Sequence, residues 1–346
     1  MSEVVLSFGA YPSAHAGAER MAWRTAESLS QRGHRVTALT DSRPLAGGAG
    51  VTVADPASFD RDAGHPAPDV VHAFDLARPE YVSRALALAR RRGAVFALTP
   101  ASDPAVWPDP AVGRLACGAA DVVFALTTAE TEALCAIGAR RDRVRRIPQA
   151  PDLSGQPDAA AFRRRLPSGG KVVLFMARRT RRKGYHLVLD STRAVWQRHP
   201  DTTFVVAGPG ADEHLPVPTD RRLYDLGIAD EQTKLDALAA CDVLCLPTTA
   251  DVFPLLFVEA WSYGKPVVSG PFPGAGEVVR DGVDGIVAPP TTDGVATALI
   301  GLLSDDARRL AMGRAGRERV RAGFTWDSVV TAVEDGYRRA AEGVRR

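Results

Sequence analysis

The chain has 346 residues, 45% hydrophobic and 24% charged, with a formal net charge of +2. That length fits about two domains and can bury a substantial core, while so small a charge argues against nucleic acid or an anionic membrane as a bulk partner. The opening MSEVVLSFGAYPS lacks the basic and apolar regions of a signal peptide, no apolar run reaches the roughly eighteen residues of a membrane span, and Cys117, Cys135, Cys241 and Cys245 form no CxxC pair, as expected of reduced thiols in a cytoplasmic protein.

Short apolar runs alternate with longer amphipathic patterns. Val4–Phe8 reads as a buried strand, Ala18–Arg32 as an amphipathic helix ended by Gly33, and Arg35–Thr40 as the next strand. Asp69–Phe74, Ala94–Leu98, Asp121–Leu126 and Val144–Ile147 continue the series. Continuous apolar strands separated by helices predict a parallel sheet covered on both faces. A Pro-, Gly- and Ser-rich stretch at about 148–170 then reads as a link. A second series follows, with strands at Lys171–Met176, Thr203–Ala207, Asp242–Leu246, Pro266–Ser269 and Gly285–Ala288 and a helix at Gly184–His199. The expected class is α/β, with two Rossmann-like doubly wound domains facing across a cleft between their strand ends. The first spans 1–150 and the second 165–328, and the long amphipathic helix Trp326–Arg345 packs back on the first over about 330–346.

Three segments carry candidate chemistry. In DVFPLLFVEAWSYG, Pro254 suits the first position of a helix, leaving the amides of Leu255 and Leu256 free to meet an anion. Asp251 just before that helix and Glu259 inside it would repel phosphate, so they suit neutral hydroxyls; a sugar nucleotide offers both groups. The bland alternative is an Asp cap and an exposed Glu. In ARRTRRKG, after a strand, Arg178 can fork two phosphate oxygens and Lys183 can act as a point charge, whereas Arg179, Arg181 and Arg182 read as a solvated loop. In AGAE, Gly17 would let a backbone approach a diphosphate. Neither this segment nor Gly208-Pro-Gly210 forms GxGxxG, so a nicotinamide or flavin reading lacks its motif.

These motifs resemble the retaining glycosyltransferases of family 4, which have the GT-B fold. The resemblance lies in MARRTRRKG, FVVAGPG, DVFPLLFVEAWSYGKPVVSG, GEVVRDGVDGIVAP and the Thr325–Trp326 pair, in family order over about 160 residues, and more loosely in the N-terminal half. It implies an enzyme that moves a hexose or aminosugar from a UDP- or GDP-type donor to a hydroxyl of a small sugar, natural product or glycan. Arg178, Lys183 and the amides of Leu255 and Leu256 would bind the diphosphate, Glu259 the ribose and Asp251 the sugar, with Gly17, Gly208, Phe253 and Pro254 also lining the donor. No cofactor and no metal are expected. Asp60-Arg61-Asp62, nominally a DxD, reads as surface loop. The resemblance implies no nucleic-acid partner, and a monomer or homodimer.

Two departures stand out. The first acid of the motif is usually Glu and here is Asp251, one methylene shorter. The His that usually follows the strand VFALTP is missing from TPASDPAVWPD, where Asp103 is the nearest ionisable group and reads either as a catalytic substitute or as a turn cap before Pro104. Only His72 survives of a His-x-His pair. Tyr11, His15 and His72 are candidate acceptor-side residues. The alternative to an active transferase is a non-catalytic or specialised sugar-nucleotide-binding GT-B protein.

Overall fold

A computed structural model describes residues 1–10, 16–44, 50–59, 66–210 and 219–344. Tyr11, His15 and Asp60-Arg61-Asp62 lie outside the described residues. The chain forms two compact units, Met1–Gln149 with Thr325–Arg346, and Ala150–Phe324.

Among the described residues, the first unit holds a seven-stranded parallel sheet of β1 (Glu3–Ser7), β2 (Arg35–Leu39), β3 (Val51–Ala54), β4 (Val70–Phe74), β5 (Val95–Thr99), β6 (Val122–Ala125) and β7 (Val144–Arg146). Their order is β3-β2-β1-β4-β5-β6-β7. Every residue of β4, β5 and β6 is buried, because helices cover both faces and leave no polar side for the strand to show. The edge strand β3 is different: none of its four residues is buried. It therefore shows no apolar run, and sequence patterning passes it over.

The helix Trp326–Val344 belongs to this first unit. Arg32 holds it by donating to Asp327, to Thr331 Oγ1 at 2.8 Å and to Glu334 at 2.5 Å, and His34 bonds Glu334 at 3.0 Å. Its Tyr337 reaches into the sheet, where the hydroxyl lies 2.7 Å from His72 Nδ1. His72 Nε2 lies 2.7 Å from Thr99 Oγ1, and the ring is 0% exposed. An acceptor-side role for His72 is therefore corrected: both nitrogens are occupied, and the ring pins the C-terminal helix to β4 and β5.

Burial drives the His72 pKa from 6.5 down to about 3. Below the ordinary value the unfolded histidine binds a proton that the folded one refuses. Acid therefore favours the unfolded chain, and stability falls as pH drops from 6.5 toward 3, by about 1.4 kcal/mol per unit from this group. Urea denaturation of the wild type and of His72→Leu between pH 6 and 4 should show a shallower pH slope in the variant, by about one proton. Tyr337→Phe, which strands the buried Nδ1, should cost about 1–3 kcal/mol at pH 7.

The second unit holds a six-stranded parallel sheet of β8 (Val172–Met176), β9 (Thr203–Ala207), β10 (Leu223–Asp225), β11 (Val243–Leu246), β12 (Val267–Ser269) and β13 (Gly285–Val287), in the order β10-β9-β8-β11-β12-β13. The chain leaves β8 to one side for β9 and returns on the other side at β11. The connections diverge there, so a crevice opens at the carboxyl ends of β8 and β11. Among the described residues, no helix is long and apolar enough to cross a membrane.

Candidate functional site

Two loops meet at that crevice, one after β8 and one after β11. Gly184 ends the first loop at φ +75°, a conformation that disfavours other residues. A Cβ there would run into the Pro247 carbonyl, with the carbonyl carbon 2.9 Å away. The close approach lets Thr249 N donate to Arg182 O at 2.9 Å and Thr248 Oγ1 to the same carbonyl at 3.1 Å. The loops are thereby stitched together, and Lys183 Nζ lies 2.6 Å from Asp251 Oδ2. Both side chains are largely buried, at 20% and 14% exposure, so this pair is screened less than a surface pair.

Pro254 sits one position earlier than expected. It is the N-cap, with ψ 115°, and the helix runs Leu255–Ser262. Leu255 and Leu256 are then its first two residues, whose amides have no carbonyl a turn behind them. The Phe253 ring is buried and meets Phe324 edge-on at 5.5 Å. This corrects Phe253 as a donor-facing side chain; only its backbone remains for such a contact.

Glu259 is not an exposed helix residue. It is 2% exposed, and its Oε1 accepts from Lys234 Nζ at 2.6 Å. Arg178 is exposed and, among the described residues, makes no ion pair. Arg179 is corrected from a solvated residue to a structural one. It forks the Asp225 carboxylate and lies over the Tyr185 ring at 5.7 Å. Asp225 Oδ1 also accepts from Gly227 N at 2.7 Å, and Gly208 N donates to Gly227 O at 2.7 Å. Gly208, at φ +135°, lies so close to Ala177 that a Cβ would collide with its carbonyl. That glycine shapes the floor where β8 and β9 end.

In the first unit, Gly17 opens the helix Gly17–Gln31. Glu19 reaches back to the Ala16 amide at 3.3 Å and takes the Ser42 hydroxyl. An anion at Gly17 would meet that carboxylate, which works against a diphosphate there. Asp103 is the cap of the turn Pro104–Val106, accepting from Ala105 N at 2.8 Å. Nearby Glu130 went unnoticed in the sequence. Burial and then the Asp103 charge raise its pKa to about 7, against the Leu126 and Thr127 contacts that lower it. Lys234 was also missed. Its signal was a lysine in register with Leu238 and Cys241 on the buried stripe of DEQTKLDALAAC. Among the described residues, no group of three His, Cys, Asp or Glu side chains could hold a metal.

Two parallel doubly wound sheets, with a crevice at the carboxyl ends of β8 and β11, define a GT-B fold. Solved structures share it: Anabaena Alr3699/HepE in complex with UDP-glucose has a TM-score of 0.79 at 18% identity, over 97% of this chain and 99% of that one. Sucrose-phosphate synthase from Thermosynechococcus elongatus has a TM-score of 0.77 at 18% identity, over 99% and 100%. Residues 158–319 match the family described as "Glycosyl transferases group 1". Among curated relatives, a glycogen synthase of Mycobacterium tuberculosis is 31% identical over 202 residues, 56% of this chain and 48% of its own length. A D-inositol 3-phosphate glycosyltransferase 1 of Catenulispora acidiphila is 31% identical over 271 residues, 72% and 65%. The chain spans about half to two thirds of the length of these relatives.

Proposed function

We propose that this protein is a retaining glycosyltransferase. It moves a hexose or aminosugar from a UDP- or GDP-type donor held by the second unit to a hydroxyl of a small sugar, natural product or glycan held by the first. The reading is carried by one observation: Lys183 and Asp251 meet at 2.6 Å beside the opening amides of the Leu255–Ser262 helix. Cation and amides suit a diphosphate, and the carboxylate suits sugar hydroxyls. The family match and the UDP-glucose held by Alr3699/HepE support the same donor class.

In the proposed reaction the bond from the anomeric carbon to the phosphate oxygen breaks, and the acceptor oxygen bonds that carbon on the same face. The acceptor's proton passes to the departing phosphate, so no strong protein base and no metal are needed. The main electrostatic task is to stabilise the leaving diphosphate, and Lys183, Arg178 and the two amides carry it. The four free thiols suit work in the reducing cytoplasm, as a monomer or homodimer.

Isothermal titration with UDP and GDP tests the donor side. The wild type should bind one of them, and Arg178→Ala and Glu259→Ala should each abolish that binding. Intact binding in both variants would sink the assignment. A mass-spectrometric acceptor screen with UDP- and GDP-hexoses then separates a transferase from a binder: bound donor that yields neither transfer nor hydrolysis favours the non-catalytic reading.

A further inference from the structure

The loops after β5 and β6 lie side by side, because those strands are parallel neighbours in the first sheet. The second loop opens the helix Thr128–Ala136, capped by Thr127, whose hydroxyl accepts from Glu130 N at 3.0 Å. The Glu130 side chain folds back so that Oε2 accepts from Leu126 N at 2.6 Å. Its other oxygen, Oε1, is buried without a hydrogen-bond partner, and the residue is 4% exposed. A carboxylate sealed from water needs a cation, and among the described residues none acts on Glu130. Burial outweighs the Leu126 and Thr127 contacts and, with the Asp103 charge, lifts its pKa from 4.5 to about 7. The loop after β5 is held more loosely. Ala101 sits at φ +57°, where an L side chain is strained. Ser102 Oγ donates to Asp75 Oδ1 at 3.1 Å, and Trp107 Nε1 donates to Ser102 O at 3.1 Å. Between them the Pro104–Val106 turn has no buried residue. It rests on Asp103, whose side chain accepts from Ala105 N at 2.8 Å and whose carbonyl accepts from Val106 N at 2.9 Å. A strained segment with little buried surface opens before its surroundings do.

We propose that Glu130 is a proton-sensitive latch for this loop: as the neutral acid it lets residues 101–107 stay docked, and its ionisation releases them. The charge that forms on Glu130 has no cation and stands against Asp103, the cap of the turn. Moving the loop away lets water reach Oε1 and separates the two carboxylates. The helix side has less freedom, since Oε2 and the Thr127 hydroxyl are both committed to its start. The loop leaves the carboxyl end of β5, the side on which doubly wound sheets hold ligands. The proton is thereby coupled to whatever the first unit binds there.

The other titratable groups around Glu130 are engaged elsewhere or uncharged. From the helix Pro110–Ala119 comes Cys117, a thiol pushed up to about 12 by burial and by Glu130 and Cys135. On the helix of Glu130 itself, Glu132 pairs with Arg141 at the surface. The strand β6 is VVFA and brings no titratable side chain. Tyr337 of the C-terminal helix packs on Phe124 of β6 and is bonded to His72. From β7, Arg146 donates to Thr128 Oγ1 at 3.1 Å, and Arg145 donates to the carbonyls of Asp142 and Val144 at 2.8 and 2.9 Å. From the loop after β5 comes Asp103, and among the described residues its charge is the one that acts on Glu130.

Hydrogen exchange of the full chain tests this, read by mass spectrometry across roughly pH 5 to 8.5 and corrected for the intrinsic pH dependence of amide exchange. With the loop open, Glu130 titrates at its ordinary 4.5, and with the loop docked at about 7. The docked state binds the proton more tightly, so docking is lost as pH rises between those values. Opening of residues 101–107 should therefore increase about tenfold per pH unit up to about pH 7 and level off above it. Glu130→Gln, uncharged and of the same shape, should keep the loop protected across the range. Asp103→Asn keeps a capping oxygen and drops the charge, so its profile should level off at a lower pH. A wild-type loop whose opening ignores pH overturns the proposal, as does the wild-type slope persisting in Glu130→Gln. A profile unmoved by Asp103→Asn, or a slope confined to the helix Thr128–Ala136, overturns it too. No nucleotide is added, so the outcome is independent of the donor reading.

Discussion

Lys183→Ala should lower the turnover of a UDP- or GDP-hexose by about 10²–10³-fold, the loss that follows removal of one preorganised donor to a developing anion. The ammonium is held in advance, 2.6 Å from Asp251 Oδ2, by a loop whose carbonyls and glycine are stitched to the loop after β11. It therefore needs little reorganisation when charge gathers on the leaving phosphate. The same substitution leaves Asp251, 14% exposed, without its cation, which should reduce stability by about 1–2 kcal/mol. Lys183→Ala/Asp251→Asn removes that stranded charge. It should recover most of the urea midpoint and none of the turnover, so a double-mutant cycle on both readouts separates chemistry from folding. Donor turnover in Lys183→Ala within threefold of the wild type would remove Lys183 from the leaving-group site.

Gly208→Ala should be severely damaging to the second unit. At φ +135° an L-residue is strained whatever space surrounds it, and the added Cβ would press into the Ala177 carbonyl, with the carbonyl carbon at 2.7 Å. Both groups are backbone at the ends of adjacent strands, paired by Ala177 N donating to Ala207 O at 3.0 Å. Neither can turn aside as a side chain would. The cost should reach about 3 kcal/mol or more, read as a fall in the thermal midpoint. Nucleotide affinity should fall with it, because the Ala177–Lys183 loop starts where the collision occurs. Gly169→Ala, with open space around its Cβ and no positive φ, is the matched control and should change stability by less than about 0.5 kcal/mol.

The chain's own letters carried the central strands and the donor motifs a long way. A strand buried on both faces is mostly apolar, so β4, β5, β6, β8, β9 and β11 announce themselves as short runs. The edge strands β3 and β10 do not, since half-exposed positions face no such demand. The spacing of Asp251, Pro254 and Glu259 likewise forces one acid before a helix start and one inside it.

Pairing across the chain was a different matter, because a side chain's type does not name its partner. Lys183 and Asp251 are 68 residues apart, and Lys234 and Glu259 are 25 apart. His72 and Tyr337 are 265 apart. Period and propensity extend over a few residues, so no local rule joins such positions. By itself the sequence determined two parallel α/β units and the set of groups able to meet a sugar nucleotide. Only the tertiary structure decided which of those groups are free and which are committed. It turned His72 inward onto the C-terminal helix, spent Arg179 on Asp225, made Asp103 a cap and locked Glu259 to a lysine. The reason is burial: once water is excluded, each polar group must take the nearest partner the fold supplies, and the fold alone sets which one is nearest.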